Sequence, residues 1–489
     1  MPLVPFGAYT PDVTDYEGQS TRNILNVVPQ GDGYGPFKSS VSISGALPDT
    51  CRGAFYALKT AGDVAIFAAT SDKLFLLDNT TYNWNDVSKT GGYVALNPNA
   101  QWQFVQFNNL VVAVQANAPP QVFDVTSSTA FADLAGSPPF AAYASVVGRF
   151  IVLSGLPGTP TRIQWSGLNS INAADSWTPG INSSDYQDLP DGGGVRGVAG
   201  GEFGTIFQER AIRRMVYLPG SPLVFQIERV AQDHGLYAPY SVVRAGETIL
   251  FHSTKGFYRI DPGGLPVQIG KERVDRTLLG NIDKSMLRLF MGASDPRSTR
   301  VFWAFKSVNG NINRYDTLLG YDKALDRFFR LAADGEYLLG AAQSGITLEG
   351  LDALYSSLDA IPGSLDDFVG ADTPEISQVN GEHKIAFFRG PNSEATLETA
   401  EQGTDGRRLR VRGFRPVTDA ATLYGSVSSR ETQQAAAVAG QETPINTRTG
   451  RCDMNVSTRY SRFKCRIPAG ENWTFCAGVE PDVKTDGLV

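Results

Sequence analysis

Histidine and cysteine are scarce in this chain, three and four among 489 residues. His234, His252 and His383 lie too far apart in sequence to make a local ligand motif, and each is read as a packed or surface residue. The cysteines, Cys51, Cys452, Cys465 and Cys476, show neither a CxxC nor the Cys/His spacing of a zinc site. They are expected to be free thiols packed as small apolar groups. No run approaches the roughly 20 apolar residues of a membrane span. The opening MPLVPFGAYTPD has neither the basic region nor the apolar stretch of a signal peptide. The expected place of synthesis is the cytosol, with any exit by a route other than secretion.

Charge is sparse as well. Only 19% of residues are charged and the net charge is −7, which excludes a general nucleic-acid binder, because phosphate affinity comes from Lys and Arg. An acidic surface could still line a path along which DNA slides without sticking. Catalytic signatures are missing too: no GxSxG elbow, HExxH, P-loop or GxGxxG opening a helix. Gly192-Gly193-Gly194 precedes a predicted strand and reads as a flexible connection. The Asp boxes of propeller sialidases and the Gly-His and Trp-Asp dipeptides of WD40 blades are absent. The chain is expected not to be an enzyme, and to use no cofactor or metal.

What the sequence has is a repeat. A hydrophobic doublet followed by Asp ends at Asp78, Asp124 and Asp322, and the related Arg259-Ile260 precedes Asp261. The first step is 46 residues, the second 137, close to three such steps, and the last 61, with a polar insertion at 309–313. A period in the forties built from short strands marks a β-propeller blade. Each Asp is expected to turn the chain from a third into an outer strand. An apolar residue six positions on, Trp84, Val267 or Phe328, is expected to pack back. Two units lack the Asp and carry Trp165 and Tyr217 in its place. In the unit with Trp165, the Ser176-Trp177-Thr178 segment is read as the outer strand.

The expected fold is all-β: a propeller of about six blades over 51–343, with five or seven as alternatives. An extended N-terminal arm or platform segment (1–50) precedes it, an acidic linker (344–375) follows, and a C-terminal β-sandwich of about seven strands fills 376–489. Either the Val41–Ser44 strand or the EYLLGAA run at 336–342 is expected to complete the first or last blade, because an open edge invites aggregation. The linker carries a modest helical pattern at Leu348–Tyr355. Its carboxylates Asp352, Asp359, Asp366 and Asp367 suit a solvated connector better than a hydrolase pair.

Basic residues cluster twice. On a strand, Arg408, Arg410 and Arg412 would share one face while Leu409 and Val411 share the other. That face is either solvated or a contact to an acidic subunit or partner. Arg213 and Arg214 allow the same two readings.

The order of parts resembles the tail nozzle proteins of short-tailed bacteriophages, also called packaged-DNA stabilisation or tail hub proteins. The residues that carry the likeness are Asn23–Pro29 before the Gly-Tyr-Gly-Pro turn at 33–36, and Ser253–Tyr258. The segment LDALYSSLDAIPGSLDD and the ending STRYSRFKCRIPAGENWTFCAGVEPDV add to it. The resemblance implies a structural virion protein assembled in the host cytoplasm. Six copies would form a ring below the head-to-tail adaptor, also touching tail fibres or spikes. That ring would retain packaged DNA and guide it out between subunits. The insertion at 309–313 is a place to expect contact with another tail protein. Two other classes stay open on the residues alone: a glycan-degrading tail enzyme, and a binding module for the host surface.

Overall fold

The structure is a computed structural model that describes residues 3–14, 18, 20–59, 64–221, 223–341, 357, 359, 374–403 and 407–486. The helical pattern at Leu348–Tyr355 and the carboxylates Asp352, Asp366 and Asp367 lie outside the described residues. Strands dominate, as the alternating apolar segments dictate, and they form many four-stranded antiparallel sheets. Short turns make consecutive strands neighbours. Phe107 pairs with Leu110 across Asn108-Asn109, with Asn108 at φ 53°. Asparagine tolerates the left-handed conformation that such a tight hairpin needs.

Five sheets follow one another in chain order, each with its strands in sequence. They begin with Gly53–Leu58, Gln103–Phe107, Tyr143–Val147, Val195–Ala199 and Val243–Ala245. A sixth begins with Met291–Ser294 and ends in the long strand Arg327–Ala341. Apolar clusters sit between successive sheets: Phe67, Trp102 and Phe123 between the first and second, Val112, Ile151 and Leu153 between the second and third. Phe150, Ile206 and Phe225 follow between the third and fourth, and Phe207, Phe251 and Tyr258 between the fourth and fifth.

The six expected units are matched by six sheets, and a further four-stranded arrangement closes the set. The first half of Arg327–Ala341 pairs with Tyr315–Asp322, while its second half pairs with Glu375–Asn380. That strand pairs with Ile385–Phe387, which pairs with Val41–Ser42. Leu339, Val379, Ile385 and Phe387 then pack on Ile66, Phe75 and Tyr82 of the first sheet. The EYLLGAA run and the Val41 strand thus close the same edge rather than serving as alternatives. The N-terminal segment supplies the outermost strand of the set, and this two-residue strand forms a short edge.

The expected boundaries at 50 and 376 do not contain the strands. Val4–Pro5, Val27–Gln30 and Gly33–Pro36 join Arg408–Thr418, Cys452–Thr458 and Cys476–Asp486 in one sheet. Asn23–Leu25 joins Ala395–Glu398, Tyr424–Arg430 and Tyr460–Ile467 in another. Buried side chains from both, among them Val411, Phe414, Phe463 and Trp473, fall in one cluster with Ile24, Val27 and Tyr34. Phe414 and Phe463 meet edge-on at 5.4 Å. The same cluster runs on into Trp303, Phe305 and Phe329 of the sixth sheet, so the two regions share a core. The HKIAFFR strand, expected in the sandwich, belongs instead to the closing sheet, because its partner strand lies before residue 50.

Candidate functional site

The repeated aspartates are turn formers. Asp78 accepts from the amides of Thr80 and Thr81 at 2.8 and 3.3 Å, and Asp124 from Thr126 at 2.9 Å. Asp322 accepts from Ala324 at 3.0 Å, and the Asp261 carbonyl accepts from Gly264 at 2.8 Å. All four stand at the end of a third strand, as do Trp165 and Tyr217. A carboxylate that satisfies backbone donors two residues on fixes the turn. The packing expected beyond them holds for Phe328, which is buried, and fails for Val267, which is 53% exposed. Its strand, Val267–Gln268, is too short to be covered by a neighbour. In the third sheet the outer strand is Asp185–Asp188, not the Trp177 segment. Trp177 is buried and donates its indole N–H to the Ile171 carbonyl at 3.0 Å.

The two basic clusters part company. Arg213 is only 8% exposed, donates Nε to Gln208 Oε1 at 2.8 Å, and pairs with Asp191, which also meets Arg229. Burial lowers its pKa. Its side chain is engaged within the fold, by Gln208 and Asp191. Arg214, on the opposite face of the same strand, is half-buried.

The Arg408–Thr418 strand behaves as its alternation predicts, with Leu409 and Val411 buried and Arg410 and Arg412 exposed. Arg408 pairs with Glu431 at 2.8 Å and Arg410 donates to Asn455 at 2.9 Å. Among the described residues no side-chain partner is found for Arg412. A fourth member escapes strict alternation, which would turn Arg415 inward with Leu409 and Val411. The pairing register shifts at Gly413, leaving Gly413 and Phe414 both buried and Arg415 exposed. Gly413 has φ +155°, and a Cβ there would stand 2.4 Å from the Cys452 carbonyl oxygen, so this bulge requires glycine. Four arginines therefore point outward from one strand. Gly413, in Arg412-Gly413-Phe414-Arg415, was the only sequence signal for it.

The second feature lies where the first strands of the ring converge. A cavity of about 220 Å³ is lined by Gln101, Gln103, Tyr143, Tyr240, Arg244 and Tyr337, among others. These residues come from five separate sheets or their approaches, so no local motif announces them. The Gln101 amide N–H donates to Tyr240 Oη at 2.9 Å, and Gln101 Nε2 donates to the Arg288 carbonyl at 2.5 Å. Arg288 is 2% exposed and its pKa is pushed down to about 10, by burial first and the charge of Arg52 second. Glu336, also buried, accepts from the Cys51 amide at 2.7 Å and lies 2.9 Å from His383 Nδ1; burial raises its pKa. The 309–313 insertion reaches inward here, since Asn313 Oδ1 accepts from Arg288 at 3.0 Å.

The remaining histidine of note, His252, is 1% exposed among Phe257, Phe290 and Tyr237, its ring 4.9 and 4.8 Å from the two phenylalanines. Burial pushes its pKa down to about 3, so it packs as a neutral aromatic. All four cysteines are buried free thiols. Among the described residues no helix is long and apolar enough to cross a membrane, and no cluster of three His, Cys, Asp or Glu side chains could hold a metal.

No protein-family model matches the chain, and no curated protein matches it. Solved structures with some likeness include a lignostilbene dioxygenase from Pseudomonas brassicacearum. It is 9% identical with a TM-score of 0.33, over 63% of this chain and 83% of that one. Another is dihydro-heme d1 dehydrogenase NirN in complex with DHE, 13% identical with a TM-score of 0.33, over 86% of this chain and 79% of that one. Likeness at this level carries nothing about the chemistry of this chain.

Proposed function

We propose that this protein is a structural component of a short-tailed bacteriophage virion. In this reading it is a tail nozzle or hub whose copies form a six-fold ring below the head-to-tail adaptor. The ring retains packaged double-stranded DNA and passes it outward at infection. Each copy is a β-propeller of seven blades, the seventh closed by Val41–Ser42, carrying a β-sandwich built from both ends of the chain. The work is mechanical, without a cofactor, and the protein resides in the tail after assembly in the host cytoplasm.

The observation that carries the reading is the outward arginine face of Arg408, Arg410, Arg412 and Arg415, held on a central strand of a sheet and set by the bulge at Gly413. Arginine on a rigid strand meets carboxylates bidentately at little ordering cost, which suits a contact to an acidic copy of the same chain or to a neighbouring tail protein. The size of the axial cavity agrees. At about 220 Å³ it falls below the volume of an ordinary small-ligand site, so a duplex would run between copies and not through one. The chain's net charge of −7 suits a lumen from which DNA must leave freely.

Imaging the purified full chain and the intact particle tests this. The expected result is six-fold rings and a stoichiometric tail band. A protein that stays monomeric at high concentration and is absent from purified virions overturns the proposal. Release of reducing sugar from host polysaccharide, or tight adsorption of the isolated protein to host cells, would instead favour the hydrolase or the receptor-binding module.

A further inference from the structure

Three of the four cysteines converge in the sandwich, although they arrive there on three different strands. Cys452 opens the strand Cys452–Thr458 and Cys476 opens Cys476–Asp486, and both strands pair with Arg408–Thr418. Cys465 lies on Tyr460–Ile467 in the other sheet, directly opposite Gly425. The two sheets come close here because Gly425 has no side chain. A Cβ at that position would stand 2.6 Å from the Phe414 ring and 2.7 Å from Cys452 Sγ, both of them in the first sheet. Across the same gap the Cys465 thiol is hydrogen-bonded to the Cys476 thiol, with Cys452 near by. All three are wholly buried, and among the described residues no three His, Cys, Asp or Glu side chains are placed to hold a metal. The chemistry open to the group is that of thiols.

We propose that Cys465 and Cys476 form a disulfide across the sandwich when the protein meets an oxidising medium, leaving Cys452 and Cys51 as thiols. The oxidant is a low-molecular-weight disulfide, which takes up two electrons. The Cys476 thiol loses its proton and its sulfur attacks the S–S bond of the reagent, releasing one reagent thiolate. The Cys465 thiol, deprotonated in turn, attacks the mixed disulfide and releases the second. One protein S–S bond forms, one reagent S–S bond breaks, and the two protons end on two reagent thiols.

Cys476 is the point of entry. It begins its strand, and the residues before it, Thr474 and Phe475, are exposed, so fraying of this end uncovers its sulfur without opening the core. Cys465 lies within its strand and burial raises its pKa well above the usual thiol value, which keeps it inert until the mixed disulfide is brought to it. The crosslink would fasten the two sheets at the root of the strand that pairs with Val4–Pro5, Tyr34 and Arg408–Thr418. Only residues 466–475 lie between the two cysteines, so the closed loop is short and its entropic gain modest. What the bond adds is a fixed seat for the arginine strand. The pairing does not rest on the virion reading: a reducing cytosol keeps the thiols apart and any oxidising surroundings join them.

Peptide mapping of the full chain, equilibrated with oxidised glutathione in native buffer, tests the proposal. The expected result is one crosslink, joining Cys465 to Cys476, with half of the four thiols still titratable on denaturation. Amide exchange along Cys476–Asp486 is expected to slow by about tenfold, and dithiothreitol to reverse both changes. Cys465→Ala should remove the crosslink and Cys452→Ala should keep it, while the map of the parent decides the matter even if a variant does not fold. Four free thiols after oxidation, glutathione adducts alone, or a crosslink made through Cys452 or Cys51 overturns the proposal.

Discussion

Two arginines of the ring of sheets and the four of the Arg408–Thr418 strand are handled in opposite ways. In the ring, Arg213 and Arg288 are drawn inside, one tied to Gln208 and Asp191, the other left with free donors near the axis. In the sandwich, four arginines of one strand are turned out, and only their neighbours Leu409, Val411 and Phe414 go into the core. Inward arginine is costly to desolvate and is kept where it ties segments of the fold together. Outward arginine adds almost nothing to the stability of the single chain, even where it has a surface partner, as Arg408 has in Glu431. Inward arginines occur in both regions, since Arg430 and Arg462 meet the buried Glu401 among the C-terminal strands, whereas the Arg408–Thr418 strand is where association is expected.

The comparison breaks first at the core the two regions share. Trp303 packs 4.5 Å from Phe257, donates to the Ser241 carbonyl at 2.9 Å and belongs to the cluster that continues into Phe414 and Trp473. Trp303→Ala is expected to cost about 3–5 kcal/mol and to lower amide-exchange protection in both regions. Phe67 belongs to the cluster between the first two sheets, remote from the sandwich. Phe67→Ala should cost a similar amount while sparing protection of the Arg408–Thr418 strand. Equal loss there from both variants would mean that the molecule unfolds as one unit, and the distinction between regions would be architectural only.

A smaller effect separates two buried groups, His252 of the fifth sheet and Asp275 at the start of the helix Asp275–Asn281 that follows it. His252 has its pKa pushed down to about 3, against an ordinary 6.5, so the folded chain binds its proton less readily than the unfolded chain. Its contribution is whole above about pH 6.5 and is lost as pH falls, by about 3 kcal/mol at pH 4. Asp275 runs the other way. Burial raises its pKa to about 6 from 3.8, so the folded chain binds that proton more readily, and stability on its account rises as pH falls from about 6 to 4. The parent should therefore show a shallow pH dependence across this window. His252→Phe, which keeps an aromatic ring and removes the titration, should become more stable toward pH 4. Urea midpoints at pH 7, 5.5 and 4 decide it; a variant that loses stability in parallel with the parent refutes the assignment.

The parts legible in the sequence were those written locally. The aspartates carry their own turn chemistry within two or three residues, so the repeat and the third-strand positions could be read directly. The closing sheet could be narrowed only to two candidate segments. Its pairing of Val41–Ser42 with Ile385–Phe387 spans most of the chain, and alternation says nothing about which partner a strand will find. The arms failed for the same reason: Asn23–Leu25 looks extended but pairs with residues 396–398, and the local pair of Val27–Gln30 with Gly33–Pro36 reaches its sheet only through the Cys476–Asp486 strand. The axial cluster was invisible because Gln101, Arg288 and Glu336 come from different units and meet only when the ring closes.

The smallest expected effect bears most on what the molecule does. Arg213→Ser removes a buried donor from both Gln208 and Asp191, and should cost about 2–3 kcal/mol in urea unfolding. Arg412→Ser, at an exposed position, should stay within about 0.5 kcal/mol of the parent. Replacing Arg408, Arg410, Arg412 and Arg415 together by Ser should likewise leave the monomer folded, because the bulge at Gly413 and the buried Leu409, Val411 and Phe414 remain. Sedimentation velocity should nevertheless show the assembled species weakened by at least tenfold in apparent affinity, with a steep dependence on salt in the parent. If assembly is unchanged while Arg213→Ser disrupts it, the roles are reversed: the inward arginine would govern association through the shape of the ring, and the outward face would be only solvated surface.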